Sequence, residues 1–250
     1  MTMLPTLTPI AWGLLAVAAL LVGFSKTALP GINTISIAIF AAVMPARAST
    51  GALLLLLIVG DLFALITYRR HADWATLVRL IPAVVAGVAL GAVFLALADD
   101  GSVRKVIGVI LLLVITFTLW QRARGSRGTG AAVGAVARSG YGALGGFTTM
   151  VANAGGPVMS MYFLAARFPV KAFLGTAAWF FAVINLAKVP VSIGLGLITP
   201  GTLMLDVFLV PGVIVGALIG RRIATRMKQS TFDWAVIVCT VLGAVYLLVS

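Results

Sequence analysis

Apolar residues run in long blocks along this chain, cut at intervals by short polar or basic clusters. Block length predicts membrane elements at 9–29, 32–44, 49–68, 77–97 and 103–120. The same rhythm follows at 131–152, 157–166, 172–197, 203–220 and 232–249. In each half the second element is short, with 13 and 10 residues. At about 1.5 Å per residue such lengths do not cross a hydrocarbon core of about 30 Å. Each is therefore expected to be a half-helix, a re-entrant segment or a strongly supported short span.

A polar break precedes each short element. Met150-Val151-Ala152-Asn153-Ala154-Gly155-Gly156-Pro157 interrupts an apolar run with an amide, two glycines and a proline. A helix should end near Asn153 and a new one start near Pro157. Ser25-Lys26-Thr27-Ala28-Leu29-Pro30-Gly31-Ile32-Asn33-Thr34 holds the corresponding place in the first half. Inside a bilayer such breaks survive only where protein or a polar cavity satisfies the freed backbone groups, and a helix N-terminus favours an anion. The two breaks are expected to face each other and form one substrate site.

The halves match in detail. Gly23-Phe24-Ser25 corresponds to Gly146-Phe147-Thr148, Pro45-Ala46-Arg47-Ala48 to Pro169-Val170-Lys171-Ala172, and Gly60-Asp61 to Ile184-Asn185. Pro82, Gly87 and Gly91 share their spacing with Pro211, Gly216 and Gly220. The reading is an all-α polytopic membrane protein of two inverted repeats, each with four long transmembrane helices and one short segment. The first repeat takes residues 1–121, a basic linker 122–138 and the second repeat 139–250. Gly87 with Gly91, Gly142 with Gly146 and Gly216 with Gly220 are read as sites of close helix packing.

Charge sets the orientation. If each short segment returns the chain to its starting side, one face receives Arg69, Arg70, Arg79, Arg122, Arg124, Arg127, Arg138, Arg167, Lys171, Arg221, Arg222, Arg226 and Lys228. The other receives only Arg47, Arg104 and Lys105, beside Asp99 and Asp100. The positive-inside rule then predicts a cytoplasmic linker and both termini outside.

Composition agrees with the membrane reading: 62% of the 250 residues are apolar and 10% charged. The net charge of +12 sits in short clusters between spans, so it reads as membrane orientation and not as a nucleic-acid face. Residues 1–8 hold no basic residue, and no removed signal peptide is expected. One cysteine, Cys239, and one histidine, His71, leave no internal disulfide and no expected metal cluster. No cofactor is expected.

Three charges are read within apolar spans: Lys26, Asp61 and Lys188. Each costs roughly 2.5–3.5 kcal/mol on insertion scales, so each needs a partner, a cavity or a role. The substrate-binding set expected from the two breaks is Ser25, Lys26, Thr27, Gly31, Asn33, Thr148, Thr149, Asn153, Gly155 and Gly156. Asp61, Asn185 and Lys188 form a coupling or structural charge group, in which Asp61 with Lys188 carries a proton or holds helices together; Lys188 is alternatively read as snorkelling outward past Pro190. Trp179, Phe180 and Phe181 are read as core or lipid contacts. Enzyme readings fail on the motifs. Gly23-Phe24-Ser25-Lys26-Thr27 lacks the glycines of a phosphate-binding loop, Val59-Gly60-Asp61 needs a second intramembrane carboxylate that this reading does not find, and the chain has no Glu.

Taken together, Gly23-Phe24-Ser25-Lys26-Thr27-Ala28-Leu29-Pro30-Gly31, Gly60-Asp61 with Tyr68-Arg69-Arg70-His71-Ala72-Asp73-Trp74, Asn153-Ala154-Gly155-Gly156-Pro157 and Phe173-Leu174-Gly175-Thr176-Ala177-Ala178-Trp179-Phe180-Phe181 resemble the sulfite exporter TauE/SafE family. The likeness runs from about Trp12 to Val249. It departs from the family's usual glycine triplet after the first helix, with Ser25-Lys26-Thr27 in that place. The resemblance implies a bacterial inner-membrane protein that moves sulfite, sulfonates or related organic anions, often outward, as a secondary transporter working by alternating access. Its partners would be a small anionic substrate, the lipid bilayer and protons as a candidate coupling ion, with no nucleic acid and the oligomeric state open. The alternative is a non-transporting membrane enzyme or assembly subunit.

Overall fold

The structure, a computed structural model, describes residues 7–103, 134–224 and 226–228, together with 105, 106, 109, 113, 116, 231, 234 and 238. Most of the expected spans at 103–120 and 232–249 and of the linker at 122–138 lies outside the described residues. Among those described, the chain forms eight α-helices and no strand. They are α1 (Pro9–Thr27), α2 (Asn33–Val43), α3 (Ala46–Tyr68), α4 (Trp74–Leu97), α5 (Ala135–Ala152), α6 (Gly155–Ala165), α7 (Val170–Gly194) and α8 (Pro200–Ala224). Short 3-10 turns at Pro30–Ile32 and Arg69–His71 lead into α2 and out of α3.

Local chemistry places the helix ends. The Thr8 hydroxyl accepts from the Ala11 amide at 3.2 Å, with Pro9 in the first turn, where its missing N–H costs nothing. Asp73 caps α4 by accepting from the Thr76 amide at 2.8 Å. Pro45 and Pro169 occupy the N-cap positions of α3 and α7 without a side-chain cap hydrogen bond. At the α4 exit, hydrogen bonds with Ser102 hold the Asp99 carboxyl below its ordinary range.

Helices α1, α3, α4, α7 and α8 are long and apolar enough to cross a membrane. Helices α2 and α6 have 11 residues each, about 16 Å, or half a crossing. Helix α5 has 18 residues and is polar for a span, with Arg138, Ser139 and four glycines among its residues. Burial divides the long helices into layers. Helices α3 and α7 are the most enclosed and pack on each other at the centre, whereas α4 turns Val78, Val85, Leu90 and Val93 outward.

Two flanking pairs complete the bundle, α1 with α8 and α4 with α5, and glycine makes both possible. A Cβ at Gly23 would overlap the Val213 carbonyl and the Ala217 amide, and one at Gly216 the Leu20 carbonyl and the Phe24 amide. In the other pair, a Cβ at Gly146 would overlap the Val84 carbonyl and the Val88 amide, and one at Gly87 the Ala143 carbonyl and the Phe147 amide. These are the positions matched between the halves in the sequence, so the two crossings repeat atom for atom.

The bundle has chemically distinct ends. At one, Arg47 donates to the carbonyls of Leu95, Ala98 and Leu195 while its amide donates to Asp100. At the other, the Asp73 amide donates to Thr176, the Trp179 indole donates to the Arg69 carbonyl, and Gly175 lies against the backbone of Tyr68 and His71.

Candidate functional site

The two helix breaks meet in the middle of the bundle. Helix α5 stops because Asn153 adopts a left-handed conformation with φ 54° and its amide reaches back to the carbonyls of Thr148 and Thr149. Such a residue ends a helix, and after Gly, Asn tolerates the conformation best. Helix α6 starts at Gly155, two residues earlier than expected from Pro157. The proline falls in the third position, where its missing N–H is one of the donors a helix start leaves unpaired. Across from it, the Asn33 amide group donates to the Asn153 carbonyl at 3.3 Å, and a Cβ at Gly156 would lie 3.2 Å from the Pro30 carbonyl oxygen.

Between them lies a cavity. Its wall is built from Ser25 and Lys26 of α1, Pro30 and Asn33 of the first break, Leu57 and Asp61 of α3, and Thr149 and Asn153 at the end of α5. Gly156 of α6 and Ala177, Ala178, Phe181 and Asn185 of α7 close it. The free volume is about 20 Å³, room for a single water molecule.

One polar network ties the wall together across four helices. Lys26 Nζ lies 2.7 Å from Asp61 Oδ1, with the lysine side chain 10% exposed and the aspartate 2%. Asp61 Oδ2 accepts from Asn185 Nδ2 at 2.7 Å. Asn185 Oδ1 accepts from Lys188 Nζ at 3.3 Å, and the same ammonium donates at 2.6 Å both to the Thr149 carbonyl and to Asn153 Oδ1. Asn153 Nδ2 donates onward to the Thr50 carbonyl at 2.9 Å. The ring of Phe181 stands 4.5 Å from Lys26 Nζ, a cation–π contact.

Of the expected residues, Ser25, Lys26, Asn33, Thr149, Asn153, Gly156, Asp61 and Asn185 reach the cavity wall. Thr27, Gly31, Thr148 and Gly155 do not. The Thr27 hydroxyl donates to the Ala217 carbonyl at 2.9 Å and so faces α8. Thr148 donates to the Gly145 carbonyl within its own helix. Gly31 serves through its carbonyl, which accepts from the Thr34 hydroxyl at 2.7 Å. Gly155 packs against Thr149 and Phe181.

Two expectations about charge are corrected. Lys188 neither snorkels outward nor pairs directly with Asp61. It is 1% exposed, turns its ammonium to the end of α5, and leaves Lys26 as the aspartate's partner. The spans also hold a fourth charge-bearing residue: Asp206, in α8, is 5% exposed, and neither of its carboxylate oxygens has a hydrogen-bond partner. It does not line the cavity. Phe181, read as core or lipid contact, is also a wall residue; its signal was helical spacing, since Ala177, Ala178, Phe181 and Asn185 fall on one face of α7.

A family model described as Sulfite exporter TauE/SafE matches residues 15–247, nearly the whole chain. No curated protein and no solved structure matches it.

Proposed function

Since the chain belongs to the sulfite exporter TauE/SafE family, a family of membrane transporters for sulfite and related anions, we propose that it carries a small sulfur-containing or carboxylate anion through the cavity between the two breaks. The observation that carries this reading is the polar network on and behind the wall, where two lysines, Lys26 at the cavity and Lys188 behind it, meet a single aspartate. The first amides of α6 are free of intrahelical partners and add the positive end of a helix dipole.

Roles follow from position. Lys26 is the one cation among the described residues that lines the cavity, and it supplies the point charge. Ser25, Asn33, Thr149 and Asn153 orient the anion through hydrogen bonds, and Gly156 admits it to the backbone. Lys188 is a positioning residue. It neutralises the carbonyl end of α5 and fixes the rotamers of Asn153 and Asn185.

Transport is secondary and by alternating access, with export as its direction. A cavity with room for one water is too small for the anion until the bundle moves. Opening is a movement of the glycine-locked pairs, α1 with α8 and α4 with α5, against the central α3 and α7. The equivalent crossings of the two pairs support an inverted repeat, with residues 1–121 and 139–250 as its halves. The gathering of basic residues at the Arg69–His71 end supports a cytoplasmic linker and external termini in a bacterial inner membrane.

Flux in liposomes that contain only this protein tests the reading. Internal unlabelled sulfite or methanesulfonate should drive saturable counterflow of the labelled anion. Counterflow in Gly156→Val should fall to that of empty liposomes. Wild-type counterflow no faster than empty liposomes would overturn the proposal and favour a non-transporting role.

A further inference from the structure

A carboxylate is an odd component for the wall of an anion site, and its geometry gives it a use. Asp61 holds the ammonium that the anion needs: Lys26 Nζ stands 2.7 Å from Asp61 Oδ1, while Oδ2 is occupied by Asn185. The other charged group facing it is Lys188, one residue removed through Asn185. Every other element packed around Asp61 presents a neutral group: Thr149 and Asn153 from α5, and the Val213 side chain from α8 beside Gly60. An anion that takes the Lys26 ammonium therefore leaves Asp61 as a second negative charge in the same small cavity. Like charges at that separation disfavour ionisation, and a buried carboxylate stripped of its partner is costly.

We propose that the anion and one proton occupy the cavity together, the proton on Asp61 Oδ1, so that the protein is an electroneutral proton–anion symporter for monovalent anions. This rests on the anion reading above; export then runs down the anion's own outward gradient and carries one proton out with each anion. The exchange balances. The Lys26–Asp61 ion pair opens, Lys26 donates to the anion, and a proton from the aqueous side joins Oδ1, which then also donates to the anion. No electrons move, and release reverses each step. The charges of the Lys26–Asp61 pair cancel in the empty site. A monovalent anion with one proton leaves that sum unchanged, so the loaded carrier crosses the field with the same buried charge as the empty one.

Methanesulfonate is the probe, because its acid is fully ionised at neutral pH and any proton taken up belongs to the protein. In proteoliposomes with an internal pH dye, a pH gradient alone should accumulate methanesulfonate, with one proton moved per anion. Clamping the potential with potassium and valinomycin should leave the flux unchanged. By linkage, the apparent Kd should rise about tenfold per pH unit wherever Asp61 is ionised in the empty protein. Asp61→Asn should make any remaining methanesulfonate binding independent of pH and abolish gradient-driven accumulation. The wild-type stoichiometry decides the matter without any variant. Methanesulfonate moving without protons, or a pH-independent wild-type Kd, would overturn the symport proposal and leave the anion site standing. Absence of all binding and counterflow, for sulfite as well, would sink both.

Discussion

Lys26 and Asp61 show how a residue's surroundings reverse an expectation drawn from the residue alone. Taken alone, Lys26 is a charge buried in a helix break, and removing an unpaired buried charge would leave the empty protein as stable or more so. In the fold it is paired with Asp61 at 2.7 Å, so Lys26→Met leaves a buried carboxylate without its partner. Removing one member of a buried pair costs about 3–5 kcal/mol, whereas replacing both by apolar groups is often neutral. Melting in one detergent should therefore fall sharply for Lys26→Met and recover for the double variant Lys26→Met with Asp61→Leu. A single variant as stable as wild type would contradict the pairing. The sequence marked these charges by their apolar background, but pairing depends on how α1, α3 and α7 pack, and chain spacing carries no trace of that. Asp206 stands on the same apolar background, in the block at 203–220.

Elements were more legible than contacts. Described helix ends fall within a few residues of the apolar blocks, since hydrophobic length and proline-glycine punctuation are local signals. The start of α6 was two residues off because glycines accept helical geometry in a first turn as readily as they end a helix. The two glycines of this break differ in role. A Cβ at Gly155 would sit 2.8 Å from Thr149 Cβ and 3.1 Å from the Gly145 carbonyl, whereas the nearest atom to one at Gly156 is 3.2 Å away, on the cavity side. Gly155→Ala should lower the melting temperature. Gly156→Ala should lower melting less than Gly155→Ala and slow counterflow several-fold. The reverse pattern would place the cavity on the wrong glycine. The flanking pairs make a second demand at this scale. Gly23→Ala and Gly146→Ala meet equivalent backbone atoms and should destabilise alike, by about 1–3 kcal/mol as overpacking. A large effect at one and none at the other would deny that the crossings are equivalent.

At the scale of the whole molecule, the two ends of the bundle carry the topology. The Arg69–His71 turn and the Arg47–Asp100 cluster lie at opposite ends of α3 and α4, and the charge bias assigns the first to the cytoplasm. In a Cys239→Ser background, Gly101→Cys should react with a membrane-impermeant maleimide in intact cells. His71→Cys should react only after the membrane is opened, and the opposite result would invert the assignment. The central claim, however, is that the cavity between the two breaks is where the anion binds. Crystals grown with selenite, the heavier analogue of sulfite, test it most directly through anomalous scattering at the selenium edge. The account predicts one anomalous peak within hydrogen-bond reach of Lys26 Nζ and the Gly156 amide, with Asp61 drawn away from Lys26. Selenium bound only elsewhere, with the Lys26–Asp61 pair intact, would contradict it.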